Sequence, residues 1–122
     1  MILDGYMYNA TLLGEGEFRL SLKGDCPVYA AHFPGMPVTP GVCIMQIVKE
    51  LAEKLFSCRL DVRKVKNIKF LSLLTPEACP VVKFDKLQKC EDGTLAVQAR
   101  LLGDSETVYA TVSLICSLNG SC

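Results

Sequence analysis

The sequence contains no tryptophan and a single histidine, His32, and its lysines and arginines balance its aspartates and glutamates at 13 each. With no net charge there is no overall field to gather nucleic acid or an anionic membrane, and no nucleic-acid motif is present. Long apolar runs are missing as well. The opening MILDGYMYNATLL has an early acidic residue and no cationic start, so neither a membrane span nor a signal peptide is expected, and the cytoplasm is the expected location. No CxxC pair occurs among the seven cysteines, Cys26, Cys43, Cys58, Cys79, Cys90, Cys116 and Cys122. Their scatter, with one histidine, offers no ligand spacing, so no metal site is expected and reduced thiols serving as small core hydrophobes are. Cys43 stands apart, because a thiol in a first helical turn can ionise more readily.

What is present suits one compact domain, residues 1–122, with half of its residues hydrophobic and length enough for one core. An extended segment from Tyr6 to Leu13 breaks at Gly14-Glu15-Gly16 and resumes with Phe18, Leu20 and Leu22 alternating against Arg19, Ser21 and Lys23, which reads as a hairpin. Past a later connection, Lys64 to Leu71 is β-rich and closes at Thr75-Pro76. Pro80 to Cys90 is extended, and Asp92-Gly93 is a strong hairpin signal leading into Leu95, Val97, Ala99 and Leu101. The last strand sets Val108, Ala110, Val112, Leu114 and Cys116 on one face. The expected class is α+β, with the sheet wrapping one long helix.

That helix belongs to the stretch AHFPGMPVTPGVCIMQIVKELAEKLF, Ala31 to Phe56. Pro34, Pro37 and Pro40 stiffen its first half. In the second, Ile44, Val48, Leu51, Ala52 and Leu55 share a face that Met45 and Ile47 widen, which predicts a mostly buried helix. Thr39 before Pro40 reads as a cap followed by a first-turn proline. The amides of Gly41 and Val42 then lack intrahelical acceptors and sit in the positive end of the helix dipole. A neutral imidazole beside such donors is a base beside an oxyanion hole, suited to enolate chemistry; an ordinary hydrogen-bonded loop histidine is the plain alternative.

The segment HFPGMPVTPGV resembles the His-Phe-Pro-Gly-x-Pro-x-x-Pro-Gly signature of the 3-hydroxyacyl-acyl-carrier-protein dehydratases. The likeness extends through the helix, KNIKFLSLLTPEACP and the final strands. It implies a hot-dog fold, an antiparallel sheet wrapped around a central helix, paired into a homodimer that can assemble further. It further implies that His32 acts as base on the α-carbon of a 3-hydroxyacyl thioester and that Gly41 N–H binds the thioester carbonyl. No cofactor is implied; the substrate arrives on the phosphopantetheine of an acyl carrier protein.

One family feature is exchanged. The helix carboxylate that the partner subunit contributes in those enzymes is here Gln46, and an amide cannot deliver a proton. Glu50 stands one turn later, on the same face. It either reaches the site while Gln46 orients the hydroxyl or a water, or forms a surface ion pair with Lys54 on a polar stripe with Lys49 and Glu53. Phe33, Pro34, Met36, Val42 and Met45 are candidate substrate-binding residues, although apolar groups near a helix start are more often core. Arg59, Arg63, Lys64, Lys66 and Lys69 are a candidate carrier-protein rim, or else a solvated strand face. The leading expectation is a dehydratase-like hydro-lyase of fatty-acid or polyene or polyketide-type lipid synthesis. The alternatives are a hot-dog thioesterase and a non-catalytic acyl- or carrier-binding subunit.

Overall fold

The computed structural model describes residues 1–119; the expectation for Cys122 falls outside them. Strands β1 (Tyr8–Gly14) and β2 (Glu17–Leu22) precede a short helix α1 (Pro27–Ala31) and the long helix α2 (Gly41–Phe56). Strands β3 (Arg59–Phe70), β4 (Val81–Lys89), β5 (Thr94–Leu102) and β6 (Val108–Asn119) follow. All pair antiparallel in one six-stranded sheet of order β1-β2-β4-β5-β6-β3, so β1 and β3 are its outer strands. This is the α+β, wrapped-helix architecture that the sequence led us to expect.

The core lies between the sheet and α2. Ile44, Ile47, Val48, Leu51 and Ala52 of the helix meet Leu20, Val82, Leu95, Val97, Leu101, Ala110, Val112 and Leu114 from the sheet, all buried. Period-two burial along β6 and helical burial along α2 therefore describe two sides of one interface. Met45 and Leu55 are only partly buried at its margin. The β4–β5 hairpin closes as Asp92-Gly93 predicts: Gly93 adopts φ +85°, and Asp92 Oδ1 accepts from the Thr94 amide at 3.0 Å and its hydroxyl at 2.6 Å.

Four details differ from the sequence reading. The chain leaves α2 through Ser57, in the left-handed conformation, and enters β3 at Arg59 with no longer connection, because Glu53 accepts the Leu60 amide at 2.9 Å and Leu60 is buried. The segment before His32 contains α1, begun by Pro27 in its first turn. The cap of α2 is Pro40, not Thr39; Thr39 is buried, its hydroxyl is 2.9 Å from the Tyr29 hydroxyl, and its amide donates to Leu74 C=O at 2.8 Å. Finally, the cysteines are not uniformly core filler. Cys26, Cys43 and Cys116 are buried free thiols, Cys79 and Cys90 are exposed free thiols, and Cys58 is disulfide-bonded.

Candidate active site

His32 caps the C-terminal end of α1, its amide donating to Val28 C=O at 3.0 Å. Its Nδ1 lies 3.4 Å from Val38 C=O, a long contact that fits an Nδ1–H donor and leaves Nε2 with its lone pair. The Phe33 ring sits against the imidazole, centroids 4.3 Å apart. Val38 in turn returns its amide to His32 C=O at 3.3 Å, so the proline loop folds back on the residue that opens it.

That folding back delivers the chain to the start of α2. Pro40 C=O accepts from both Cys43 (3.0 Å) and Ile44 (3.1 Å). Among the described residues no acceptor is recorded for the amides of Gly41 and Val42. They are the unsatisfied first-turn donors that an oxyanion would engage. A residue not among the expected site residues lies over the glycine: a Cβ built on Gly41 would lie 2.5 Å from Cζ of Phe70, at the end of β3. The only hint in the sequence was Phe70 as an apolar residue at a strand end. Cys43, in the same turn, is not activated; burial pushes its thiol up.

The other pair lies elsewhere on α2. Glu50 is 6% exposed, not a surface residue, and its partner is not Lys54. Its Oε2 accepts from the Leu3 amide and from Gln46 Nε2, and its Oε1 from the Asp4 amide and the Tyr8 hydroxyl, each at 2.8 Å. Lys54 instead reaches Asp4 at 2.8 Å. Burial and the Glu50 carboxylate together hold the Tyr8 phenol far above its ordinary value, as a permanent donor. Gln46 Nε2 also donates to Met1 C=O at 2.8 Å. Gln46 and Glu50 line an open groove of about 770 Å³ with Met1, Ile2, Lys49 and Glu53; His32 and Gly41 do not line it.

Within one chain, then, His32 and Phe33 lie on the proline loop, Gly41 and Val42 at the helix start it leads into, and Gln46 with Glu50 under the N-terminal segment. Phe33, Met36 and Val42 are 55%, 57% and 60% exposed, Pro34 is exposed, and Met45 packs on the core. Arg59, Arg63, Lys64, Lys66 and Lys69 are all exposed along β3, Arg63 donating to the Ser117 hydroxyl at 2.8 Å.

The profile of the ApeI-like family, described as ApeI dehydratase, matches residues 13–109, a span that includes the His32 loop, α2 and β3. The chain belongs to the ApeI-like dehydratase family. No curated protein sequence matches it. Among solved structures, a chain of the dehydratase heterocomplex ApeI:P from Xenorhabdus doucetiae shares 18% identity at a TM-score of 0.64, covering 89% of this chain and 94% of that one. The E. coli PaaI protein of the phenylacetic acid degradation operon shares 13% at a TM-score of 0.62, covering 93% and 80%. A putative thioesterase from Silicibacter sp. TM1040 shares 12% at a TM-score of 0.62, with the same coverages. These identities speak for the hot-dog fold, which this ApeI-like chain shares with dehydratases and thioesterases alike.

Proposed function

We propose that the chain is a 3-hydroxyacyl-thioester dehydratase-like lyase of fatty-acid or polyene or polyketide-type lipid synthesis. The observation that carries this reading is an imidazole whose Nδ1 is turned to Val38 C=O, on the same proline loop that leads into the unengaged amides of Gly41 and Val42. Nε2 takes the α-proton, and charge then gathers on the thioester oxygen, where the Gly41 N–H and the helix dipole stabilise it. The acyl group comes on the phosphopantetheine of an acyl carrier protein, as substrate and not as a resident cofactor. Arg59, Arg63, Lys64, Lys66 and Lys69 offer the acidic carrier a cationic rim.

The site is completed by a second copy. Among the described residues β3 ends the sheet with an unpaired edge; Phe33 and Met36 of the loop, Val42 of the helix start and Val65 and Phe70 of β3 are exposed apolar side chains. Pairing through that edge satisfies backbone groups and covers the apolar side chains together. The paired helix then contributes Gln46, in the place of the family carboxylate.

Gln46 is also what favours a second reading, thioester hydrolysis, since elimination lacks its usual acid while an amide suffices to hold a water. In a third, the chain binds acyl groups beside an active partner, as a heterocomplex would allow. A 3-hydroxyacyl thioester distinguishes them: the dehydratase produces conjugated enoyl absorbance and His32→Ala abolishes it. Free thiol without enoyl product identifies a thioesterase. Binding without turnover, unchanged by His32→Ala, identifies a binding subunit.

A further inference from the structure

The orientation of the Gln46 side chain is fixed by its surroundings. Its two recorded partners, Met1 C=O and Glu50 Oε2, both accept, so the NH₂ group must face them and the amide cannot be turned over. Both N–H bonds are spent there. Oε1, on the other side of the planar amide, is what remains to offer. Glu50 cannot stand in as the acid, because each of its oxygens already receives two donors and it is buried beneath the N-terminal segment.

We propose that Glu50 is a positioning residue that holds Gln46 as a hydrogen-bond acceptor, so that His32 makes both proton transfers of the elimination. This rests on the dehydratase reading above. Gln46 Oε1 accepts the hydrogen of the substrate's 3-hydroxyl, which turns a lone pair of that oxygen toward the imidazole. Nε2 removes the proton from C2, the C2–C3 double bond forms as the C3–O bond breaks, and the imidazolium returns the same proton to the departing oxygen. Water leaves, and His32 is neutral again. Every atom and charge balances with one titrating side chain.

Other charged groups do border Gln46. The groove carries Asp4 and the Met1 terminus, Lys49, Glu53 and Lys54 of α2, and Arg59 and Asp61 of β3, of which Lys54 pairs with Asp4 at 2.8 Å and Glu53 accepts from Leu60. Any of them acting as the proton donor would add an ionisation of its own.

The test is the pH profile of kcat/KM for conversion of a 3-hydroxyacyl thioester to its enoyl product. The wild type should show a single acid limb and a level plateau above it, because His32 need only be neutral. Gln46→Glu places a carboxyl beside Glu50; the pair will share a proton, so this variant should gain a basic limb and turn over at least ~10-fold faster on the acid side of it. Gln46→Met removes the acceptor and leaves Glu50 in place; kcat should fall about 10-fold with KM and profile shape unchanged. A basic limb in the wild type, or a Gln46→Glu profile identical to it, overturns the proposal while leaving the dehydratase reading intact. If folded wild-type protein forms no enoyl product at any pH, that reading fails and the proposal fails with it. Circular dichroism on each variant establishes that folded proteins are compared.

Discussion

Replacing Glu50 by glutamine changes one oxygen for an NH₂ and so isolates what the carboxylate does. In the native chain it receives the Leu3 and Asp4 amides, the Tyr8 hydroxyl and Gln46 Nε2 at 2.8 Å each. Glutamine keeps one acceptor oxygen. Its NH₂ group must then face two donors, either the Leu3 amide with Gln46 or the Asp4 amide with Tyr8. Hydrogen bonds to a charged acceptor contribute about 1.5–3 kcal/mol each, and donors left without a partner in a buried site cost about 1–3 kcal/mol each. Partial detachment of the N-terminal segment lets water reach those donors, which holds the total to about 3 kcal/mol. For a domain of this size that corresponds to a melting point lowered by roughly 10 °C. Urea unfolding gives the free energy, and hydrogen exchange at the Leu3 and Asp4 amides shows whether the loss is seated there. A loss below about 1 kcal/mol with both amides still protected would falsify the role assigned to this carboxylate.

Gly41→Ala places a methyl 2.5 Å from Cζ of Phe70, but that ring is 56% exposed and free to swing aside. The variant should therefore fold with a stability change under about 1 kcal/mol and, because the ring and not the helix start gives way, form enoyl product within a few-fold of the native rate, with little further change when Phe70→Ala is added. Enoyl-forming rates of the two variants check this. Alkylation at pH 8 should modify Cys79 and Cys90 in the folded protein and spare Cys26, Cys43 and Cys116 until denaturant is added, since these three are buried and burial pushes the Cys116 thiol up to about 11. Mass spectrometry of the labelled peptides reads the pattern.

Where local pattern and tertiary environment agree, the sequence was legible. The apolar face of α2, the Asp92-Gly93 turn and the alternation along β6 each need only their own neighbours, and each was read correctly. The first residues of β3 were missed because Arg59, Asp61 and Arg63 hide the burial of Leu60 between them. Thr39 carried the signal of a cap, yet its hydroxyl serves Tyr29, ten residues back along the chain. Glu50 is the clearest case. Helical periodicity placed it on a polar stripe, and nothing in that periodicity could reveal that Leu3, Asp4 and Tyr8, 42 to 47 residues earlier, close over it. The same holds for Phe70 over Gly41: a contact between distant segments leaves no trace in the spacing of either.

Strand β3 also shifts register against β6 twice, between Val62 and Lys64 and between Val65 and Asn67. Such interruptions bend and coil a strand. A margin kinked in this way, and carrying ammonium groups at Lys64, Lys66 and Lys69, fits one neighbour with a matching bend and discourages a growing stack of flat ones. The irregularity that bends β3 thus doubles as protection against fibril growth.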